Sequence, residues 1–152
     1  MSSIWYNPIF WIFISYAIGA ILADFFIKKQ KVKWFDDRNC ISDKTTKRIG
    51  VLILGWMVKN TFMGWFNKKI KLKSSAGREE LLKVKQEMRN SEAGHLIAFY
   101  FLLIINVVLI YKGLNWWYIV LFLIINIILN LYLVYLQQYN KRRIDKVLKL
   151  TD

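Results

Sequence analysis

The sequence predicts an all-α integral membrane protein with three transmembrane helices, a re-entrant or interfacial helical hairpin and a cytoplasmic amphipathic helix, forming one membrane domain over residues 1–152. Two observations carry that prediction. Of the 152 residues, 56% are apolar, more than a soluble domain of this size buries, and they stand in long unbroken runs. The chain also carries 23 Lys plus Arg against 10 Asp plus Glu, and the basic residues cluster between those runs. A single Pro and a single Cys exclude collagen-like and disulfide-scaffold classes. Cys40 has no partner within the chain for a disulfide.

The first span is expected at about residues 4–27, where only Asn7, small residues and Asp24 interrupt the apolar run. At about 1.5 Å per residue this exceeds a hydrocarbon core of roughly 30 Å. It lacks the basic start of a signal peptide and its apolar stretch is too long for one. Asp24 stands four residues before Lys28, the spacing of an ion pair on one helix face.

Residues 49–66 are long enough to cross but are interrupted by Lys59, Asn60 and Thr61 and by Gly50, Gly55 and Gly64. Charge decides their placement. Eight basic residues lie between Lys28 and Arg48, eight more between Asn67 and Ser91, and five after Asn140. If 49–66 crossed, one of the eight-charge segments would face outward, against the positive-inside rule. With three crossings only Lys112 lies outside. The N-terminus is therefore placed outside and the C-terminus in the cytoplasm, with 49–66 as a re-entrant or surface-lying hairpin on the inner leaflet.

Between Gly77 and Ser91, Leu81, Leu82, Val84 and Met88 mark an amphipathic helix with Glu79 and Glu80 near its N-terminus. No Pro separates it from the second span, at about 92–111, so one helix from about Arg78 to Tyr111 is expected. Lys112 to Asn115, with Gly113, form a tight turn into a third span at about 114–136. Trp116, Trp117 and Tyr118 flank one end of that span, and Tyr132, Tyr135 and Tyr139 the other, as an aromatic belt.

His95 is the single histidine, three residues after Glu92 and on the same helix face. A carboxylate that orients an imidazole suits general-base work on a hydroxyl; the alternative is that the two simply end a span at the interface. Glu-x-x-His is also the unit of di-iron bundles, but those need two such units and further carboxylates. No metal is expected. Asn126, Asn130 and Gln137 share a face of the third span; packing against Asn106 is one reading, and a polar cleft ending near His95 is another. Cys40 sits where palmitoylation or a thioester is expected to be permitted, without a neighbouring motif that selects either.

The basic skirt suits anionic inner-leaflet lipid, at roughly 1 kcal/mol per nearby Lys or Arg. A sharper reading places an anionic ligand at the run Lys68, Lys69, Lys71 and Lys73. Nucleic acid is not expected, since no recognised binding motif accompanies the charge. The sequence leaves the oligomeric state open.

The segment Asn90-Ser-Glu-Ala-Gly-His-Leu before an apolar span, the stretch "WFNKKIKLK" and the closing Tyr135-Leu-Gln-Gln-Tyr-Asn-Lys-Arg-Arg resemble the small membrane acyltransferases of the glycosyl-diaponeurosporenoate acyltransferase type. The resemblance runs from about Gly50 to Lys149. It departs at Asn90-Ser91, where the family has Arg-Ala, and at Ser74 to Gly77, where a Pro and an acidic turn are expected. It implies acylation of the sugar of a carotenoid glycoside, with Glu92 and His95 as the active pair and Gln138, Asn140 and Arg143 as a tail motif.

The leading expectation is thus an O-acyltransferase acting on a lipid, glycolipid or carotenoid-glycoside hydroxyl. The Lys68–Lys73 run would hold the phosphates of an acyl-CoA or an acyl-lipid donor, and Trp56 and Trp65 would line an acyl groove. No permanently bound cofactor is expected. Two other classes compete: a non-catalytic membrane partner that docks anionic lipid or an enzyme, and an oligomeric transporter, which calls for an ionisable residue near the bilayer midplane.

Overall fold

The computed structural model describes residues 7–30, 41–60 and 77–150. Helix α1 spans Pro8–Gln30. It opens with proline at its first position, where a missing N–H costs nothing, and with the Asn7 side chain accepting from the Ile9 N–H at 3.0 Å. Helix α2, Asp43–Arg48, is capped by Ser42, which accepts from the Thr45 N–H at 3.1 Å. Gly50, at φ +79°, makes the left-handed turn into α3, Val51–Asn60. Helix α4 runs unbroken over Arg78–Tyr111. Its 34 residues extend about 51 Å, well beyond a hydrocarbon core of about 30 Å.

Gly113, at φ +71°, turns the chain back, and the Asn115 side chain accepts from the Trp117 N–H at 3.1 Å to start α5, Trp116–Asn126. A π-helical turn over Ile127–Leu131 follows, and α6, Tyr132–Leu150, continues without a break. Among the described residues three helices are long and apolar enough to cross a membrane: α1, α4, and α5 through α6. The third expected span is therefore part of a helix that carries on through the basic tail.

Two packing regimes divide the molecule. In the apolar half, α1 crosses α4 on small residues. Ser15, Gly19 and Ala23 recur every four positions and are buried, and Gly19 lies directly on Gly94. Apolar side chains gain little by leaving lipid, so association rests on close van der Waals contact and interhelical hydrogen bonds. Outward-facing Phe13, Ile104 and Val107, all more than 60% exposed, fit lipid rather than water.

In the charged half, Leu81, Val84 and Met88 of α4 bury against Ile144 and Leu148 of α6. Lys85 and Asp145 pair beside them at 2.5 Å. Here water drives burial, at about 1.5–3 kcal/mol per large apolar side chain.

Helix α3 packs on α6 through Val51, Val58, Leu133 and Leu136. Its opposite face, Ile53, Trp56 and Met57, is exposed, which fits an interfacial helix. Residues 61–66, which would complete a hairpin, lie outside the described residues. Helix α2 docks on the tail: Asp43 pairs with Arg142 at 2.6 Å and with Lys146 at 3.0 Å. Hydrogen bonds from Lys146 and then Arg142 hold the Asp43 carboxyl below the usual carboxylate range. Since α2 and the first turns of α4 both pack on the end of α6, residues 43–48 and 78–89 occupy the same end of the bundle.

Candidate functional site

A polar seam runs between α4 and the stretch from the end of α5 through α6, built by helical periodicity. Ser91, Glu92 and His95 of α4 face Asn126, Asn130, Gln137, Gln138 and Lys141, of which Asn126, Asn130, Gln137 and Lys141 recur at four or seven positions and Gln138 stands beside Gln137. Glu92 lies at the centre of its inner part and is fully buried. Its Oε1 accepts from the Gln138 amide at 2.8 Å, and its Oε2 is 2.6 Å from Lys141 Nζ. Lys141 and Gln138 are themselves buried. Beside them Gln137 donates to Ser91 Oγ at 3.3 Å.

One turn further along α4, the partly exposed His95 places Nδ1 3.4 Å from Asn130 Oδ1. The Asn130 amide donates to Asn126 Oδ1 at 2.9 Å, and Asn126 donates to the Phe99 carbonyl at 3.1 Å. Helix α1 closes the third side. The Tyr16 ring meets the imidazole edge-on, centroids 5.8 Å apart at 86°. Its hydroxyl donates to the Leu129 carbonyl at 3.1 Å, within the π-helical turn that also carries Asn130. Single π turns inside α-helices recur at functional sites.

Glu92 and His95 share a face as expected, yet no hydrogen bond joins them: the carboxylate turns to α6 and the imidazole to the π turn. Of the tail motif, Gln138 reaches Glu92. Asn140 is half-buried, and Arg143 is exposed with its guanidinium 5.9 Å over the Tyr139 ring. Trp56 is exposed on α3. Lys68, Lys69, Lys71, Lys73 and Trp65 lie outside the described residues. The expected packing of Asn126 and Asn130 against Asn106 is not what forms. Asn106 is buried nearer the Lys112–Asn115 turn, with its amide 3.5 Å from the Ile119 carbonyl. The two other asparagines close on each other and on α4 instead.

Two members of the site escaped the sequence reading. Lys141 was one of five charges in a basic tail, although its place eleven residues after Asn130, on the Gln137–Gln138 stripe, was a usable signal. Tyr16, within the apolar run of α1, offered none.

A family model described as glycosyl-4,4'-diaponeurosporenoate acyltransferase matches residues 31–150. No curated protein and no solved structure matches the chain.

Proposed function

The chain belongs to the glycosyl-4,4'-diaponeurosporenoate acyltransferase family, and from that premise we propose that it transfers a fatty acyl group onto a hydroxyl of a lipid-borne sugar or related lipid at the inner leaflet. The observation that carries the reading is the imidazole of His95. It is held by Asn130 and Tyr16 where three helices meet, and it stays partly exposed.

In this mechanism the imidazole accepts the proton of the acceptor hydroxyl as its oxygen attacks the acyl carbonyl carbon. The tetrahedral oxyanion collapses, the bond from carbon to the donor's leaving group breaks, and the imidazolium returns the proton to that group. With a thioester donor the carbonyl is already activated, so positioning and proton transfer supply most of what the protein must add.

Glu92, tied to Gln138 and Lys141, fixes the turn of α4 that bears His95. The Lys68, Lys69, Lys71 and Lys73 run serves the phosphates of an acyl-CoA or anionic lipid. Trp56 and Trp65 line the acyl chain's path, and Asn140 and Arg143 face the head-group side. Anionic inner-leaflet lipid supports the basic end, with the N-terminus outside.

A docking-partner reading draws on one observation, the complete burial of Glu92 on Lys141, which a purely structural pair would also show. Lipid mass spectrometry of membranes from a deletion strain complemented at matched expression separates the two. His95→Ala is expected to lower formation of the acylated product by roughly 100-fold or more, the contribution typical of a general base, and Glu92→Gln to lower it less. Full product from His95→Ala would eliminate the acid–base mechanism.

A further inference from the structure

A backbone carbonyl only accepts hydrogen bonds, and one such carbonyl sets the direction of a relay around His95. The Phe99 carbonyl, one turn beyond His95 on α4, lies 3.1 Å from the end of the Asn126 side chain. Only the amide nitrogen can stand there. Asn126 therefore turns its oxygen to Asn130, whose amide nitrogen donates to it at 2.9 Å. With its nitrogen so committed, Asn130 presents Oδ1 to the imidazole, 3.4 Å from Nδ1. An amide oxygen offers no proton, so a hydrogen bond there requires one on Nδ1.

We infer that Asn126 and Asn130 are positioning residues that lock neutral His95 as the Nδ1–H tautomer and leave Nε2 as the basic nitrogen. The lock deepens the general-base reading and rests on it for its catalytic meaning, although the tautomer itself stands on the hydrogen bonds alone.

The relay begins and ends on the same helix and passes through two amides of its neighbour. The orientation of α4 against the π-turn segment is thereby converted into the protonation pattern of a ring. Tyr16 does not compete for the free nitrogen, because its hydroxyl is engaged with the Leu129 carbonyl. Among the described residues no hydrogen bond reaches Nε2, which leaves its lone pair for an incoming hydroxyl.

His95 is the only histidine, so ring-15N-histidine labelling of the full chain in lipid nanodiscs gives one imidazole to observe. At about pH 8, where a free imidazole is neutral, Nδ1 is expected to show the protonated, pyrrole-type resonance and Nε2 the bare, pyridine-type one. The reverse assignment, or an equal mixture, overturns the lock without any measurement of turnover.

Asn126→Leu, which does not touch the ring, is expected to turn the single tautomer into a mixture; an unchanged spectrum in that variant overturns the relay. Asn130→Asp keeps an acceptor at Nδ1 and should keep the tautomer. Asn130→Leu should lose it, and turnover with it, by about tenfold or more of the 10²- to 10⁴-fold that a general base contributes. The expected spectrum together with an active His95→Ala would leave the lock in place and remove the general-base reading instead.

Discussion

Lys141 and Glu92 put opposite charges 2.6 Å apart with side chains only 4% and 0% exposed. Removing Lys141 leaves the Glu92 carboxylate in a low-dielectric interior without this counter-charge, at a cost of about 3–5 kcal/mol, whereas replacing both with apolar side chains of similar size is often near neutral. Lys141→Met is therefore expected to lower the thermal midpoint in detergent sharply, and Glu92→Leu added to it should recover most of the loss. A double variant no more stable than the single one would show that the pair is not what holds these turns together.

Asp43 gives the second residue-scale prediction. Its carboxyl is depressed by Lys146 and Arg142, so its stabilisation is present above the unfolded value of about 3.9 and is lost as pH falls through the lower folded value. The midpoint difference between wild type and Asp43→Asn should stay constant from neutrality down to about pH 4 and close below it. Each of these surface pairs contributes about 0.2–1 kcal/mol. A difference that persisted at low pH would assign the effect to something other than charge.

Glu92 and His95 were legible because a helix-face argument needs only spacing. Of their partners, Asn130 lay within the polar-cleft reading of the third span and Gln138 within the tail motif, but Lys141 was not legible, since spacing does not say which side chain of a neighbouring helix reaches across.

At the scale of elements, the contact of α1 with α4 is asymmetric. A Cβ on Gly19 would collide with the Gly94 carbonyl, whereas one on Gly94 meets nothing nearer than 3.5 Å. Gly19→Ala is expected to force the helices apart and cost about 1–3 kcal/mol. Gly94→Ala should be tolerated, as detergent melting of the two variants will show; equal losses would contradict the geometry. The continuity of α4 from Arg78 to Tyr111 followed from the absence of Pro between its charged and apolar halves. The π turn could not be foreseen, because Ile127–Leu131 contains no Pro, Gly or other breaker. It lies where the Tyr16 hydroxyl donates to the Leu129 carbonyl. The full length of α6 was missed for a related reason: its tail reads as a charged segment until Ile144 and Leu148 are paired with Leu81, Val84 and Met88.

For the whole molecule, charge asymmetry anticipated a fact of the packing: residues 43–48 and 78–89 share one end of the bundle. In a Cys40→Ser background, Thr45→Cys and Lys83→Cys, both exposed positions, should react with a membrane-impermeant thiol reagent from the same face. Labelling from opposite faces would mean that 49–66 crosses the bilayer.

The rigidity of α4 carries a further consequence. Tyr111 stands 16 residues beyond His95 on one unbroken helix, about 24 Å away at 1.5 Å per residue. The imidazole is thus tied, in the proposed orientation, to the opposite membrane surface by a rod rather than by a loop. In the proposed orientation a fatty chain whose carbonyl reaches His95 has only the remaining thickness of the bilayer in which to extend. A thinner membrane tilts the rod and changes that room. Under the proposed function, the lengths of acyl chain transferred are then expected to shift with the thickness of the surrounding bilayer, a gauge that lies outside the protein.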